Sequence, residues 1–212
     1  MIRKPRRNSF ALQETVMTLG RWVWRIATGL IVVVLLLIGG IWILMRQRRA
    51  DIADGQVTRS IAIGSSSFGS NGTIPRRFTC SGGNVSPEIH WDALPDGTKG
   101  LAIVMDDIDT PFGFVHWLVY DIPIEAGNLP EDASSQARLP PGATEGLNSL
   151  NRAGYFGPCP PGREPHHYVF RLYALDSNLD LARGKTKREL AAAVRGHVLA
   201  EGQITGLYGG EK

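Results

Sequence analysis

The stretch MDDIDTPFGFVHWLVYDIP, residues 105–123, is the most informative part of this 212-residue chain. An apolar run, Gly100–Met105, leads into it and ends at three carboxylates, Asp106, Asp107 and Asp109. Such nearly continuous apolar runs are typical of strands in the middle of a sheet. Side chains alternate along an extended chain, so Asp107 and Asp109 are predicted to share one face and Asp106 the other. An acidic loop end is often only a solvated one, and a binding role needs support from elsewhere in the chain.

That support comes from GYFGPCPPGREPHHYVFRLYALD, residues 154–176. His166 and Tyr168 are two apart at the start of a strand and should project to one face, behind a stiff Pro-rich wall. If the Asp107 carboxylate lies beside His166 and His116, it raises the pKa of both imidazoles and favours imidazolium. Two such rings and a Tyr hydroxyl suit a phosphate monoester or a carboxylate. The Arg or Lys fork of tight phosphate sites is missing, so we expect weak binding.

The pattern around these stretches is that of a β-sandwich of antiparallel strands, with short apolar runs separated by turn residues. The predicted strands are Ser60–Ser67, Glu88–Trp91, Gly100–Met105, His116–Ile122 and Tyr168–Leu175, with a last short strand at Gln203–Tyr208. Residues 124–165 form a long loop region rich in Gly, Pro, Asn and Ser, of the kind that builds a site or is disordered. Thr186 and Glu189 form a capping box that predicts one helix near the C-terminus.

The N-terminal part carries a membrane-segment signal. Residues 26–45 are 20 consecutive residues without a charge, which matches the length that spans about 30 Å of hydrocarbon. A cleaved signal peptide is the rival interpretation, but the run is long for one and MRQRRADIADG offers no small-x-small cleavage site. We predict a basic segment at 1–25, a transmembrane signal anchor at 26–45, a tether at 46–59 and one domain at 60–212. The positive-inside bias places the N-terminus in the cytoplasm and the domain outside a bacterial-type inner membrane.

Charge is divided unevenly along the chain. Of 23 basic and 20 acidic residues, nine and one fall in residues 1–50, which leaves 14 basic and 19 acidic residues and a net charge of −5 for the remainder. An acidic domain argues against nucleic-acid binding.

Three segments in this order resemble the phosphatidylethanolamine-binding protein (PEBP) family, in its bacterial Raf-kinase-inhibitor-like branch. They are FTCSGGNVSPEIHW at 78–91, the stretch at 105–123 that is close to D-P-D-A-P followed by G-F-x-H-W, and the stretch at 154–176 that matches G-P-x-P-P followed by H-x-Y. HVLAEGQITGLYG at 197–209 is similar to the family's C-terminus. The resemblance covers residues 60–209.

The resemblance implies a mainly β fold: an antiparallel Greek-key β-sandwich of PEBP type with one C-terminal helix, here preceded by the transmembrane helix. It also implies a small anion pocket at one end. Carried over by motif, the ligand-binding residues are Asp107, Asp109, Pro111, His116, Pro160, His166 and Tyr168. The peptide bond Thr110–Pro111 is expected to be cis, because the family's matching proline turns the aspartates inward. Phe114 is the nearest candidate for an aromatic wall of the pocket.

The two cysteines, Cys80 and Cys159, lie in segments that converge near the pocket if the family fold holds. They are either two free thiols or a disulfide, and an oxidising compartment would favour the disulfide.

The resulting functional hypothesis is a non-enzymatic, membrane-anchored protein that binds small anionic ligands such as phospholipid headgroups, with no cofactor. The alternative is an inhibitor or modulator of a kinase or protease that uses the pocket rim and the 124–165 loop. A hydrolase is a further alternative, but no Ser lies in a G-x-S-x-G sequence. Metal binding by Asp107, His116 and His166 is disfavoured, because no His-x-x-x-His or Cys-x-x-Cys spacing supports it.

Overall fold

The computed structural model describes residues 29–40, 59–134 and 138–209. The chain divides into two units, Met1–Arg48 and Arg49–Lys212. The second unit contains all nine strands of the described residues and the two stretches with the candidate site residues, 105–123 and 154–176.

The strands of this unit form two sheets. The larger has the order β2-β9-β8-β4-β5-β7, and the smaller has the order β1-β3-β6. The strands are β1 Ile63–Gly64, β2 Gly72–Thr73, β3 Ile89–Trp91, β4 Gly100–Asp107, β5 Phe114–Ile122, β6 Asn128–Leu129, β7 Thr144–Glu145, β8 His166–Leu175 and β9 Val198–Tyr208. Short 3-10 helices cover Arg76–Phe78 and Ile124–Ala126.

Two apolar clusters cover the faces of the larger sheet. One lies between the sheets and joins Met105, Trp117 and Phe170 to Ile89 and Leu129 of the smaller sheet. The other is packed under a helix. With apolar contacts on both faces, every residue of β4 is buried, as its uninterrupted apolar run predicted.

The prediction of an entirely antiparallel sandwich is wrong, because the larger sheet is mixed. β2 pairs with β9 in the parallel direction, and Ser60 makes a further parallel bridge to Glu201. The strand predicted at Ser60–Ser67 shortens to Ile63–Gly64, since only that part pairs with β3. These edge pairings are long-range and leave no periodic signal in the sequence.

The predicted membrane span is also corrected. The described residues 29–40 are helical and apolar and are named α1. Within the described ranges, no helix is both long and apolar enough to cross a membrane. The transmembrane helix over 26–45, and the single-pass inner-membrane location that depended on it, are therefore wrong for the part of the chain described. The rest of that span, the segment 1–25 and all of the tether except Arg59 lie outside the described residues.

The second helix, α2, spans Lys187–Val194 and begins as predicted. The Thr186 hydroxyl accepts from the Glu189 backbone N–H, and the Glu189 carboxylate accepts from the Thr186 N–H. The hydrogen bonds that the Glu189 carboxylate accepts from the Thr186 backbone N–H and hydroxyl, ahead of the nearby Lys185 ammonium, lower the pKa of Glu189 to about 2. The helix ends at Val194, because Gly196 takes a positive φ of 80° and the chain turns into β9.

Loss of this cap should weaken the domain. We expect Thr186→Ala to lower the free energy of unfolding by about 1 kcal/mol, because the Glu189 backbone N–H in the first turn loses its acceptor. Thr186→Ser keeps the hydroxyl and should stay close to the wild type. Denaturant unfolding of the full-length chain measures both, and equal stability of the alanine variant would contradict the role of the cap.

Candidate functional site

A β-bulge in β5 directs His116 toward the site. The register between β4 and β5 shifts between Met105 and Asp106, where β5 carries one extra residue. Strict alternation would place His116 with Leu118 on the α2 side, but a bulge re-aims a side chain. The His116 ring instead lies edge-on to Tyr168, with 5.1 Å between the ring centroids.

Asp107 and His166 form the charged centre of the site. Asp107 ends β4 with a side chain that is almost completely buried, and its Oδ2 lies 2.7 Å from His166 Nδ1. Its Oδ1 accepts from the Asp109 backbone N–H at 3.0 Å. Because a carboxylate accepts, His166 Nδ1 carries a hydrogen and its Nε2 is the nitrogen left for a ligand.

Tyr168 lies between the two histidines. It is paired with Asp107 across β4 and β8, and its ring stacks on that of His166 with 6.4 Å between centroids. Burial, and after it the negative charge of Asp107, raises the pKa of the Tyr168 hydroxyl above its usual range. The hydroxyl is therefore a neutral donor, and it makes no hydrogen bond within the described part of the chain.

His116 is held by the segment that precedes the Pro-rich loop. Its Nδ1 donates to the Phe156 carbonyl at 2.6 Å, and the Phe156 N–H donates to the His116 carbonyl at 3.0 Å. Burial lowers the pKa of His116, outweighing the Phe156 hydrogen bond and the Asp107 charge, which both act to raise it. The expectation of a raised His116 pKa is therefore wrong: the carboxylate acts in the expected direction, but burial dominates.

Asp109 does not join Asp107. Its carboxylate accepts from the backbone N–H of His167 and lies 2.8 Å from His167 Nδ1, on the opposite face of β8 from His166. Partial burial acts to raise the pKa of Asp109, but the His167 hydrogen bonds outweigh it and lower the pKa. The predicted shared face is wrong, because β4 ends at Asp107 and strand alternation stops there.

The two prolines have peripheral positions. Pro111 is exposed in the loop between β4 and β5, and Pro160 is half-buried next to Cys159. The Thr110–Pro111 bond is trans, so the cis prediction is wrong. Sequence reasoning had taken that geometry wholly from the resemblance.

The wall of the site joins two of the three motifs. Cys80 and Cys159 form a disulfide across 79 residues of sequence. Beside it, the Cys80 N–H donates to the Pro158 carbonyl, and the Gly157 N–H donates to Asn84 Oδ1. A Cβ on Gly157 would come within 2.3 Å of the Phe78 carbonyl oxygen, so only glycine allows this approach.

Two aromatic residues complete the surroundings of His116. Phe114 lies 4.7 Å from the His116 ring between centroids, and Phe156 stacks on that ring at 5.7 Å. Phe114 was the expected candidate for the wall. Phe156 was missed, although it lies inside the quoted third segment, because its main contribution is a backbone carbonyl that no side-chain pattern reveals.

Chemistry rather than cavity size identifies this site. Two surface cavities of about 490 and 320 Å³ lie elsewhere, one beside Trp91 and Ile124 and the other beside Glu145 and Arg183. Neither is lined by Asp107 or by the two histidines. No group of three or more His, Cys, Asp or Glu side chains suited to a metal ion occurs among the described residues.

Comparison with known proteins agrees with the motifs and the fold. A family model described as phosphatidylethanolamine-binding protein matches residues 64–209. A UPF0098 protein of Methanothermobacter thermautotrophicus is 44% identical over 142 residues, which are 66% of this chain and 93% of that protein. The crystal structure of Escherichia coli YbcL, described as a new member of the mammalian PEBP family, matches with a TM-score of 0.67 and 30% identity over 72% of this chain and 99% of that one. A PEBP homologue of Chlamydia trachomatis, CT736, matches with a TM-score of 0.65 and 30% identity over 73% and 100%.

The burial of His116 predicts an unusual titration. We expect NMR to show His116 titrating below its ordinary pKa, as the Nδ1–H tautomer. The unfolded chain takes up this proton first as pH falls below about 6.5. This histidine therefore makes unfolding easier from that pH down through the folded pKa. A His116 midpoint at or above the ordinary value would contradict the assignment.

Proposed function

The chain belongs to the phosphatidylethanolamine-binding protein family, and from that premise we propose that its Asp107, His116, His166 and Tyr168 site binds small anionic ligands. The chain is a binding protein with the fold of this family. The proposed ligands carry a phosphate, such as a phospholipid headgroup, or a carboxylate. No catalytic step is proposed.

The observation that carries the proposal is the set of polar atoms without partners. Among the described residues, the buried Tyr168 hydroxyl has no hydrogen bond of good geometry, although Asp107 and the Cys159 backbone lie near it and buried polar groups are almost always satisfied. The hydrogen bonds described for His116 and His166 use only their Nδ1 atoms. Tyr168 contacts both imidazole rings, and the three side chains thus offer one hydroxyl and two Nε2 atoms to a ligand.

Proton uptake decides whether these atoms can bind an anion. Each Nδ1 is already committed as a donor, so a neutral ring offers only an acceptor at Nε2. Protonation turns Nε2 into a charged donor, and the Asp107 carboxylate lies 2.7 Å from His166 Nδ1. Anion binding should therefore be coupled to proton uptake and should strengthen as pH falls. A ligand with its own O–H could instead donate to neutral His116.

Binding rather than hydrolysis is favoured by what surrounds the Asp107–His166 pair. A carboxylate–imidazole pair supplies two of the three residues of a hydrolase catalytic triad, and the third is a nucleophile. Among the described contacts, no Ser, Thr or Cys side chain hydrogen-bonds to His116 or His166. Turnover of any member of a panel of ester and phosphate substrates, lost in His166→Ala, would overturn this proposal.

The ligand proposal is tested with dimethyl phosphate, whose charge does not change between pH 5.5 and 8. The wild type should bind it more tightly at pH 5.5, as followed by NMR shifts of the site residues. At that pH, His166→Ala should weaken binding about 10- to 100-fold, because it removes a charge-assisted hydrogen bond.

His90→Ala is the matched control, since His90 pairs with Glu88 on the other sheet. It should bind like the wild type. Absence of wild-type binding at both pH values, or wild-type affinity in His166→Ala, would refute the site. An affinity that climbs with pH would indicate a cation instead, because ligating histidines must be deprotonated.

A second candidate function rests on the exposed apolar rim of the site. Phe112 and Ile108 in the β4–β5 loop are 63% and 46% exposed, and Leu150 is 44% exposed. Leu150 follows Ser149, which hydrogen-bonds to Val115 at the start of β5. We propose, as the alternative, that this rim docks a protein such as a kinase or protease.

Mutations distinguish protein docking at the rim from anion binding at the site. Phe112→Ser should lose most of the specific partner recovered by crosslinking in an extract of the natural source cells, while dimethyl phosphate affinity stays unchanged. Ile124→Ser is the control, because Ile124 is exposed beyond the other end of β5. The same crosslinked set in Phe112→Ser and wild type would eliminate this candidate.

A further inference from the structure

Glu145 is a buried carboxylate behind the candidate site. It lies in β7, which pairs with β5 through Val119, and its side chain is 2% exposed. Its Oε1 accepts from Trp117 Nε1 at 2.9 Å and from Ser134 Oγ at 2.7 Å. One oxygen atom therefore joins β5 to the 124–165 region.

The two hydrogen bonds to Glu145 connect it, through Trp117 and Ser134, to residues of the site. Trp117 follows the bulge residue His116 directly. Ser134 Oγ accepts from the Tyr155 N–H at 2.7 Å, and Tyr155 directly precedes Phe156. The Trp117 and Tyr155 rings also meet edge to face, with 5.6 Å between centroids.

The two connections end on residues that bind each other. His116 and Phe156 exchange two hydrogen bonds, one between backbones and one from the imidazole Nδ1. The contact that fixes the His116 tautomer thus depends on how the bulge and the Phe156 carbonyl are placed. Glu145 is hydrogen-bonded, directly or through one hydroxyl, to the neighbour of each.

We propose that Glu145 is a positioning residue for the ligand site: through Trp117 and Ser134 it holds His116 against the Phe156 carbonyl, so that Nε2 faces the ligand. This inference rests on the proposed anion-binding function. It assigns Glu145 no contact with the ligand.

Oε1 serves both donors, while Oε2 lies 3.8 Å from the partly exposed Arg183 guanidinium. The acceptor geometry at Oε1, rather than this ion pair, should carry the role, because the amide oxygen of glutamine can accept the same two hydrogen bonds. Alanine offers no acceptor and leaves the indole N–H and the Ser134 hydroxyl without this partner in a buried place. Ser134→Ala cuts only the Tyr155 connection, and Trp117→Phe cuts only the indole connection.

The test compares full-length Glu145→Ala, Glu145→Gln, Ser134→Ala and Trp117→Phe with the wild type. The first readout is the ¹⁵N spectrum of the His116 ring without ligand, which reports the tautomer. We expect Glu145→Ala to lose the single Nδ1–H form and both single-connection variants to lose part of it. Glu145→Gln should restore the wild-type spectrum. The second readout is dimethyl phosphate affinity at pH 5.5, which should fall about 5- to 50-fold in Glu145→Ala and stay within about 2-fold in Glu145→Gln.

A purely structural role is excluded by a matched variant. Asp121 also anchors a distant segment, accepting from the backbone N–H groups of Leu179, Asp180 and Leu181. Asp121→Ala should lower stability without changing the His116 spectrum or the affinity.

Each outcome decides one proposal. If Glu145→Ala folds and keeps the wild-type His116 spectrum, the positioning role is overturned. If Glu145→Ala does not fold, a wild-type spectrum in both Ser134→Ala and Trp117→Phe overturns it. An altered spectrum in Asp121→Ala would overturn it as well. If the spectrum changes as expected but the wild type binds no dimethyl phosphate, the positioning of His116 stands and the anion-binding function fails.

Discussion

Between Met105 and Asp106, β5 carries one residue more than its partner β4, and the inward position of His116 depends on that bulge. Without it, the imidazole would join the apolar cluster under α2. With it, His116 meets the ring of Tyr168 and the carbonyl of Phe156. Bulges commonly re-aim single side chains at functional positions.

Buried charge imposes the second constraint. Asp107 is almost fully buried, and a carboxylate in such a place needs strong partners. It has the imidazole of His166 and the backbone N–H of Asp109. Asp106 lies on the opposite face of the sheet and has different partners. Its Oδ2 lies 2.7 Å from Lys187 Nζ and 3.3 Å from a guanidinium nitrogen of Arg171. Successive carboxylates of one strand thus serve separate purposes: Asp106 ties α2 to the sheet, and Asp107 orients the His166 ring.

Covalent and hydrogen-bonded links between distant segments keep these groups in place. The disulfide of Cys80 and Cys159 fastens the Pro-rich loop to the segment after Phe78, and the Tyr155 hydroxyl donates to the Phe78 carbonyl nearby. Glu145 secures the same loop from the other side through Ser134. The site is therefore built on a rigid wall rather than on an open loop, which suits the small, specific ligand that we propose.

The sequence by itself determined features that arise among neighbouring residues. The capping box starts α2 at the expected residue because its hydrogen bonds join positions three apart. The apolar run at Gly100–Met105 predicted the central strand, because burial on both faces of a sheet requires consecutive apolar residues. Alternation along β8 likewise placed His166 and Tyr168 on one face. The order of the motifs was specific enough to predict the family.

Only the tertiary structure decided where strand pairing interrupts local rules. Alternation failed at Asp109, beyond the last residue of β4, and at His116, in the bulge. The parallel pairing of β2 with β9 and the hydrogen bonds that Glu145 accepts left no signal at short range. Hydrogen bonds such as that between Asp107 and His166 join residues 59 apart in the chain. Their geometry follows from how whole strands align, and no local pattern of residue types contains that alignment.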